Sequence, residues 1–169
     1  DSTDPGQVKQ TLDWAPLEHT LFIVASKSGT TSEVNAFKDF FWAKAQEKLG
    51  DKAKDHFIAV TDPNTPVAAM AESLGYRHVF LADPAVGGRN SALTAFGLVP
   101  AALMGLDVKR LLDRGQWMAD QCAADVPAGR NPGMVLGATL GMAALQGRDK
   151  LTLIADPLWE PLGAWLEQL

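Results

Sequence analysis

Leu21-Phe22-Ile23-Val24-Ala25-Ser26-Lys27-Ser28-Gly29-Thr30-Thr31 is the stretch on which the fold turns. Its first five residues are apolar without a break, the pattern of a strand buried on both faces, as in parallel sheets. Its last six carry four hydroxyls, a lysine and a glycine. Residues 34–42 follow with Val34, Phe37, Phe40 and Phe41 mainly on one side of a helix. The order is strand, tight polar loop, helix. Thr30, Thr31 or Ser32 can cap that helix, whose first backbone N–H groups have no partner within it. The same N–H groups, the positive end of the helix dipole and the hydroxyls can hold a phosphate. Gly29 lets the backbone turn tightly beside an anion. Local chemistry leaves both readings open, capping and phosphate binding.

The rest of the chain repeats this alternation. Asp4 and Pro5 can open a first helix, which Trp14-Ala15-Pro16 ends in a turn. Gly50 ends the helix after the hydroxyl loop. Residues 57–60 read as a second strand and residues 78–81 as a third, with Thr65 and Pro66 opening a short helix between them. Residues 92–104 are apolar on nearly every side and predict a buried helix, bent or divided at Pro100. Residues 107–120 are amphipathic, with Leu111, Leu112 and Met118 expected inward. Residues 134–145 are small and apolar, and Gly137 and Gly141 suit close packing on the sheet. Leu151-Thr152-Leu153-Ile154-Ala155 predicts a fourth strand, before a last helix from Leu158. The sum is an α/β three-layer sandwich with a mainly parallel sheet and right-handed crossovers, in one domain over residues 1–169.

A second loop, Asp83-Pro84-Ala85-Val86-Gly87-Gly88-Arg89-Asn90-Ser91, follows the third strand. Gly87 and Gly88 permit a backbone away from the usual φ/ψ regions, and they set Arg89 near a strand end. Ser91 can cap the next helix. In an open parallel sheet, loops beyond the carboxyl ends of the strands line the ligand crevice, and both marked loops meet that description. By itself Arg89 reads equally as a surface arginine after a turn.

Composition limits the partners. The formal charge is -5 with no basic run, which argues against a nucleic-acid surface but not against an anionic substrate in a locally positive pocket. One cysteine, Cys122, excludes an internal disulfide and suits a reducing, cytoplasmic compartment; its helical surroundings suit packing rather than nucleophilic chemistry. No run of 18 apolar residues predicts a membrane span, and no secretory leader opens the chain. His19 reads as a surface histidine at the start of the first strand, and His56 and His78 lack partners at metal-ligand spacing, so no metal is expected. Neither GxGxxG nor GxxxxGK[ST] occurs. The chain starts without methionine and stops in helical rhythm, which predicts a fragment of a larger protein.

The two loops together resemble the glucose-6-phosphate isomerase family. That family carries a Ser-Lys-Ser/Thr-x-Thr-Thr phosphate loop, matched by Ser26 to Thr31, and a Gly-Gly-Arg-x-Ser segment, matched by Gly87 to Ser91. Residues 98–103 and Gly105-Leu106-Asp107 resemble the apolar helix and turn that follow, and residues 1–5 resemble its Ser-Asn-x-Asp element. The style is closest to the isomerase halves of bacterial transaldolase–isomerase fusion proteins. The resemblance implies a flavodoxin-like sugar-isomerase (SIS) domain, no cofactor, and a homodimer with composite active sites. It implies that Ser26, Lys27, Ser28, Thr30 and Thr31 hold a sugar phosphate, that Gly87 and Gly88 lend backbone to the substrate loop, and that Arg89 stabilises an enediol(ate). The family's catalytic glutamate follows a helix like residues 158–169, so Glu160 and Glu167, within that helix, do not match it. A phosphosugar-binding regulator without catalysis and a purely structural α/β module are the other readings.

Overall fold

A computed structural model describes residues 4–167. The Asp4 carboxylate accepts the Gln7 N–H at 2.9 Å and opens α1 (Pro5–Trp14), with Pro5 in the first turn, where its missing N–H costs nothing. β1 (Phe22–Ala25) runs into α2 (Ser32–Leu49), which stops at Gly50. β2 (Phe57–Thr61) leads to α3 (Pro66–Ser73), whose cap is Thr65 with Pro66 behind it, as the sequence predicts. β3 (His78–Leu81) is followed by a 3₁₀ segment, Gly88–Leu93, and α4 (Ala95–Leu103).

The strands are parallel in the order β1-β2-β3, with Ala25 level with Val60 and Thr61 level with Leu81. Side-chain alternation sends Phe22, Val24, Phe57, Ala59 and Val79 to one face. There Val34, Phe41, Trp42 and Ala45 of α2 and Val67, Met70 and Ala71 of α3 cover them. Phe57 is fully buried. It stacks on Phe22 at 4.7 Å and meets Trp42 edge-on at 5.0 Å. Burial of such a side chain stabilises the fold by about 1.5–3 kcal/mol. Ile58 and Val60 point the other way and are also buried, where α4 meets β2. The fold is thus α/β, a parallel sheet flanked by helices in the three-layer flavodoxin-like manner.

Two expectations change within this unit. Burial on both faces holds for β2 but not for β1, whose Ile23 and Ala25 are exposed. The cause is position: β1 lies at the sheet edge, and only the central strand is covered on both sides. Pro100 does not divide α4, which contains it; the break comes earlier, at Thr94. Thr94, not Ser91, caps that helix, accepting the Phe96 N–H at 3.3 Å, while the Ser91 hydroxyl donates to the Gly88 carbonyl at 2.7 Å. Only Ala101 of α4 is buried, and Leu103 at its end is exposed.

Residues Gly105–Leu169 form a second compact unit after Asp1–Met104 in the chain. Asp107 caps α5 (Val108–Gln121) through the Arg110 N–H, and Asn131 caps α6 (Pro132–Leu145) through the Met134 N–H. A last helix, α7, spans Glu160–Glu167. Leu111, Leu112 and Met118, expected inward, are exposed. A Cβ at Gly137 or Gly141 would meet nothing within 4 Å. Residues 151–155 join no sheet, and Leu151, Leu153 and Ile154 are exposed. Apolar periodicity marks the side an element can bury, not what buries it. An apolar run becomes a strand only beside backbone groups that complete its hydrogen bonds. Among the described residues no helix is long and apolar enough to cross a membrane.

Candidate functional site

All three strands end on the same edge of the parallel sheet, so the segments after Ala25, Thr61 and Leu81 emerge together. Backbone bonds carry the ladder past the strand ends: Ser26 N–H to the Val60 carbonyl at 3.0 Å, Asp62 N–H to the Lys27 carbonyl at 3.3 Å, and Ala82 N–H to the Thr61 carbonyl at 2.9 Å. The hydroxyl loop therefore begins from a fixed backbone.

Within the loop the hydroxyls divide. Ser26 is buried, and its Oγ accepts the Gly29 N–H at 3.1 Å, so this side chain shapes the turn from inside. Ser28 and Thr30 are exposed and their hydroxyls meet at 2.9 Å. Ser28 Oγ also accepts the Thr30 N–H at 3.2 Å. Thr31 occupies the N-cap position of α2 but makes no capping bond through its side chain. Asp4, Thr65, Thr94, Asp107 and Asn131 all do cap their helices. Gly29 has φ +71°, the left-handed region, and a Cβ there would lie 3.0 Å from the Val67 backbone nitrogen. The loop thus rests directly on the start of α3. The Asn35 amide donates to the Gly29 carbonyl at 3.4 Å and ties the loop to α2.

The Lys27 ammonium, expected beside a phosphate, is engaged by acceptors that follow the other two strands. Nζ pairs with Asp62 Oδ2 at 2.5 Å and approaches the carbonyls of Pro84 and Asp83 at 3.4 and 3.5 Å. Asp62 is not among the site residues that the sequence pattern singles out. Its single signal is its place, directly after a buried strand. Thr61 and Thr65 support that turn: Thr65 Oγ1 donates to the Asp62 carbonyl at 3.2 Å, accepts the Ala68 N–H at 3.2 Å, and takes the Thr61 hydroxyl at 2.7 Å. Since Thr65 has one proton to give, Thr61 is the donor in that last pair.

The second loop is held by its own turn. The Asp83 carboxylate accepts the Ala85 N–H at 2.8 Å, and the Asp83 carbonyl accepts the Val86 N–H. Gly87 has φ -62° and ψ 152°, and neither it nor Gly88 adopts a positive φ. The expected unusual backbone is therefore absent. A Cβ at either position would meet nothing within 4 Å, so these glycines leave open space rather than a special turn. Arg89 is exposed, with no hydrogen bond or ion pair on its guanidinium among the described residues. No bond joins Arg89 to the hydroxyls of residues 26–31 among the described residues; the link between the two loops is Lys27. Among the described residues no group of three or more His, Cys, Asp or Glu side chains is gathered as a metal ion would require.

This fold and this placement define the class of open parallel α/β domains whose crevice lies beyond the strand ends. The chain belongs to the phosphoglucose isomerase family: the family model of that description matches residues 1–168. It is 36% identical over 123 residues to a glucose-6-phosphate isomerase of Carboxydothermus hydrogenoformans, covering 72% of this chain and 26% of that protein. It is 34% identical over 175 residues to one from Thermosynechococcus vestitus, covering 100% of this chain and 32% of that protein. Among solved structures, a hypothetical protein of Thermus thermophilus superposes with a TM-score of 0.80 at 30% identity, covering 84% of this chain and 34% of the other. A glucose-6-phosphate isomerase from Chlamydia trachomatis gives 0.62 at 29% identity, covering 85% and 27%. The chain spans about a third or less of each of these proteins.

Proposed function

We propose that this chain is the SIS-type part of a cytoplasmic, homodimeric enzyme that interconverts glucose 6-phosphate and fructose 6-phosphate. The reaction moves a proton between C1 and C2 through an enediol(ate), with no cofactor. One observation carries the reading beyond family membership. The helix that follows the hydroxyl loop is left without a side-chain cap, although Thr31 stands at the position and Ser28 and Thr30 stand beside it. A sugar phosphate can take the N–H groups of that first turn and the three hydroxyls. Each such charge-assisted hydrogen bond contributes about 1.5–3 kcal/mol. Ser26 serves the same site by fixing the loop.

Arg89 supplies the second term. Its guanidinium is unengaged among the described residues, and Gly87 and Gly88 keep the neighbouring backbone open to a ligand. Aimed at the enediolate oxygens, it strengthens its hold as charge develops. The proton itself needs a general base within hydrogen-bond reach; by the family resemblance that base is a glutamate that follows a helix like residues 158–169. The base and the ring-opening group belong to the remainder of the enzyme, so the isolated chain binds phosphate without turnover.

The test compares the full-length protein with the 169-residue chain, using both sugar phosphates as substrates. Isomerisation by the former and phosphate binding alone by the latter is the expected result. A full-length protein that binds sugar phosphate but never isomerises it would instead be a regulator or sensor.

A further inference from the structure

The geometry points to Lys27 as a clamp that registers the Gly87-Gly88-Arg89 loop against the hydroxyl loop, with Asp62 as its anchor, rather than as a ligand of the phosphate. An ammonium has three protons to donate and no other polar capacity. Around Lys27 Nζ stand three acceptors: Asp62 Oδ2 at 2.5 Å, the Pro84 carbonyl at 3.4 Å and the Asp83 carbonyl at 3.5 Å. The carboxylate neutralises the charge at close range, in a pair whose side chains are only 29% and 14% exposed. An incoming anion would have to break that pair to recruit the lysine. The anchor has little choice of partner, since Asp62 Oδ1 is buried with no hydrogen-bond partner among the described residues.

The positions of these acceptors show what the clamp joins. Lys27 lies in the segment after β1, Asp62 in the turn after β2, and Asp83 and Pro84 open the loop after β3. One side chain thus spans all three strand ends. The loop after β3 is otherwise closed mainly on itself, through Asp83 to Ala85 and Val86 and through Gly87 to Asn90. Its hold on the first loop comes from Lys27. Arg89 lies a few residues past the last of these anchor points, and its aim depends on where that loop begins. Lys27 and Asp62 are positioning residues in this scheme: they act on the reaction through Arg89.

The kinetic part rests on the isomerase reading; the structural part does not. Lys27→Met, Lys27→Arg, Asp62→Asn and the double variant Lys27→Met/Asp62→Asn are made in the full-length protein. The readouts are kcat, KM, competitive inhibition by inorganic phosphate, and amide hydrogen exchange in residues 83–91. Exchange there should accelerate in Lys27→Met and in Asp62→Asn. kcat should fall on the order of 10- to 100-fold, the scale of a misplaced catalytic group. Inhibition by phosphate should stay within about twofold, since no anion contact is lost. The double variant should be no worse than Lys27→Met, because the two residues act as one unit and the double relieves a stranded carboxylate. Lys27→Arg should recover much of kcat, as a guanidinium can still bridge a carboxylate and carbonyls. Unchanged exchange in residues 83–91 overturns the clamp whatever the kinetics do. Phosphate inhibition weakened about tenfold in Lys27→Met, or strengthened in Asp62→Asn as the lysine is released, overturns it as well. A wild-type protein without isomerase activity would sink the isomerase reading alone, and hydrogen exchange and phosphate binding would still decide the clamp.

Discussion

A Cβ on Gly97 would lie 2.0 Å from the carbonyl oxygen of Ala92. The first turn of α4 and the end of the Gly88–Leu93 segment can come this close only because residue 97 has no side chain. Gly97→Ala must push the two apart, and the contact is with backbone, which cannot swing aside as a side chain can. We expect a loss of at least about 2 kcal/mol, at the upper end of overpacking costs. The measurement is the urea midpoint at unchanged m-value. Because the displaced segment carries Arg89, turnover of the full-length protein should, under the proposed function, also fall. A variant as stable as the parent would show that the junction is far more pliant than its spacing implies.

The parts of this fold that the sequence makes legible are those fixed by neighbours in the chain. Asp4 with Pro5 and Thr65 with Pro66 announce helix starts because cap and proline are adjacent. Residues 57–60 announce a strand because the run is short, apolar and bounded by polar residues and turn formers; the same pattern at residues 21–25 does not say which of the two strands is central. Contacts across long separations leave no such trace. Nothing local marks Asp62 as the partner of Lys27, 35 residues earlier. Nothing in a row of hydroxyls says that Ser26 turns inward while Ser28 and Thr30 remain outside. Ser91 and Thr94 are equally good caps on paper; the 3₁₀ turn ends at Thr94, whose hydroxyl donates to the Ser91 carbonyl and accepts the Phe96 N–H, while that of Ser91 donates to the Gly88 carbonyl. Residues 151–155 have the composition of a strand, but strand pairing is a property of two segments, and composition describes only one.

Gly29→Ala tests how the hydroxyl loop is seated. An alanine at φ +71° costs about 1–2 kcal/mol by itself. Its Cβ would also lie 3.0 Å from the Val67 nitrogen, 3.1 Å from Thr65 Cβ and 3.2 Å from Pro66 Cδ. The loop should lift from α3, with phosphate affinity falling along with stability. Gly129→Ala is the control, since it has open space around it and no positive φ. It should stay within about 0.5 kcal/mol of the parent in unfolding experiments. Equal effects of the two substitutions would mean that the seat at α3 does not matter.

Tyr76 gives a prediction about alkaline pH. Burial, with the nearby Asp39 charge adding to it, pushes its phenol up from 10.0 to about 12. The raised value means that the folded state holds the proton more tightly than the unfolded one. The corresponding stability is complete below pH ~10 and is lost as pH rises toward ~12, to the extent of roughly 2 kcal/mol. The chain has one tyrosine, so phenolate absorbance reports this group alone. Its hydroxyl is buried without a hydrogen-bond partner among the described residues. Tyr76→Phe should therefore be neutral or stabilising by about 1 kcal/mol at neutral pH, and the alkaline loss should shrink. A phenol that titrates near its ordinary value in the folded protein would count against both statements.

Arg89→Ala, made in the full-length protein, tests the proposed function by separating binding from chemistry at the second loop. The guanidinium carries no structural bond among the described residues, so its removal should leave the unfolding midpoint within about 0.5 kcal/mol of the parent. Phosphate anchoring, assigned to Ser28, Thr30, Thr31 and the first turn of α2, is untouched, so KM should change little. Under the proposed function, what is lost is a positive group aimed at charge that exists only once the C1–C2 unit has become an enediolate. Removing one such donor costs on the order of 10²–10³ in kcat. An equal fall in kcat and kcat/KM is the signature of an interaction made only in the transition state. Arg89→Lys should recover part of the rate and not all of it, since an ammonium supplies charge without the planar fork that spans two oxygens. If Arg89→Ala instead raises KM with kcat preserved, the arginine holds the ground-state substrate, and its assignment to the enediolate is wrong.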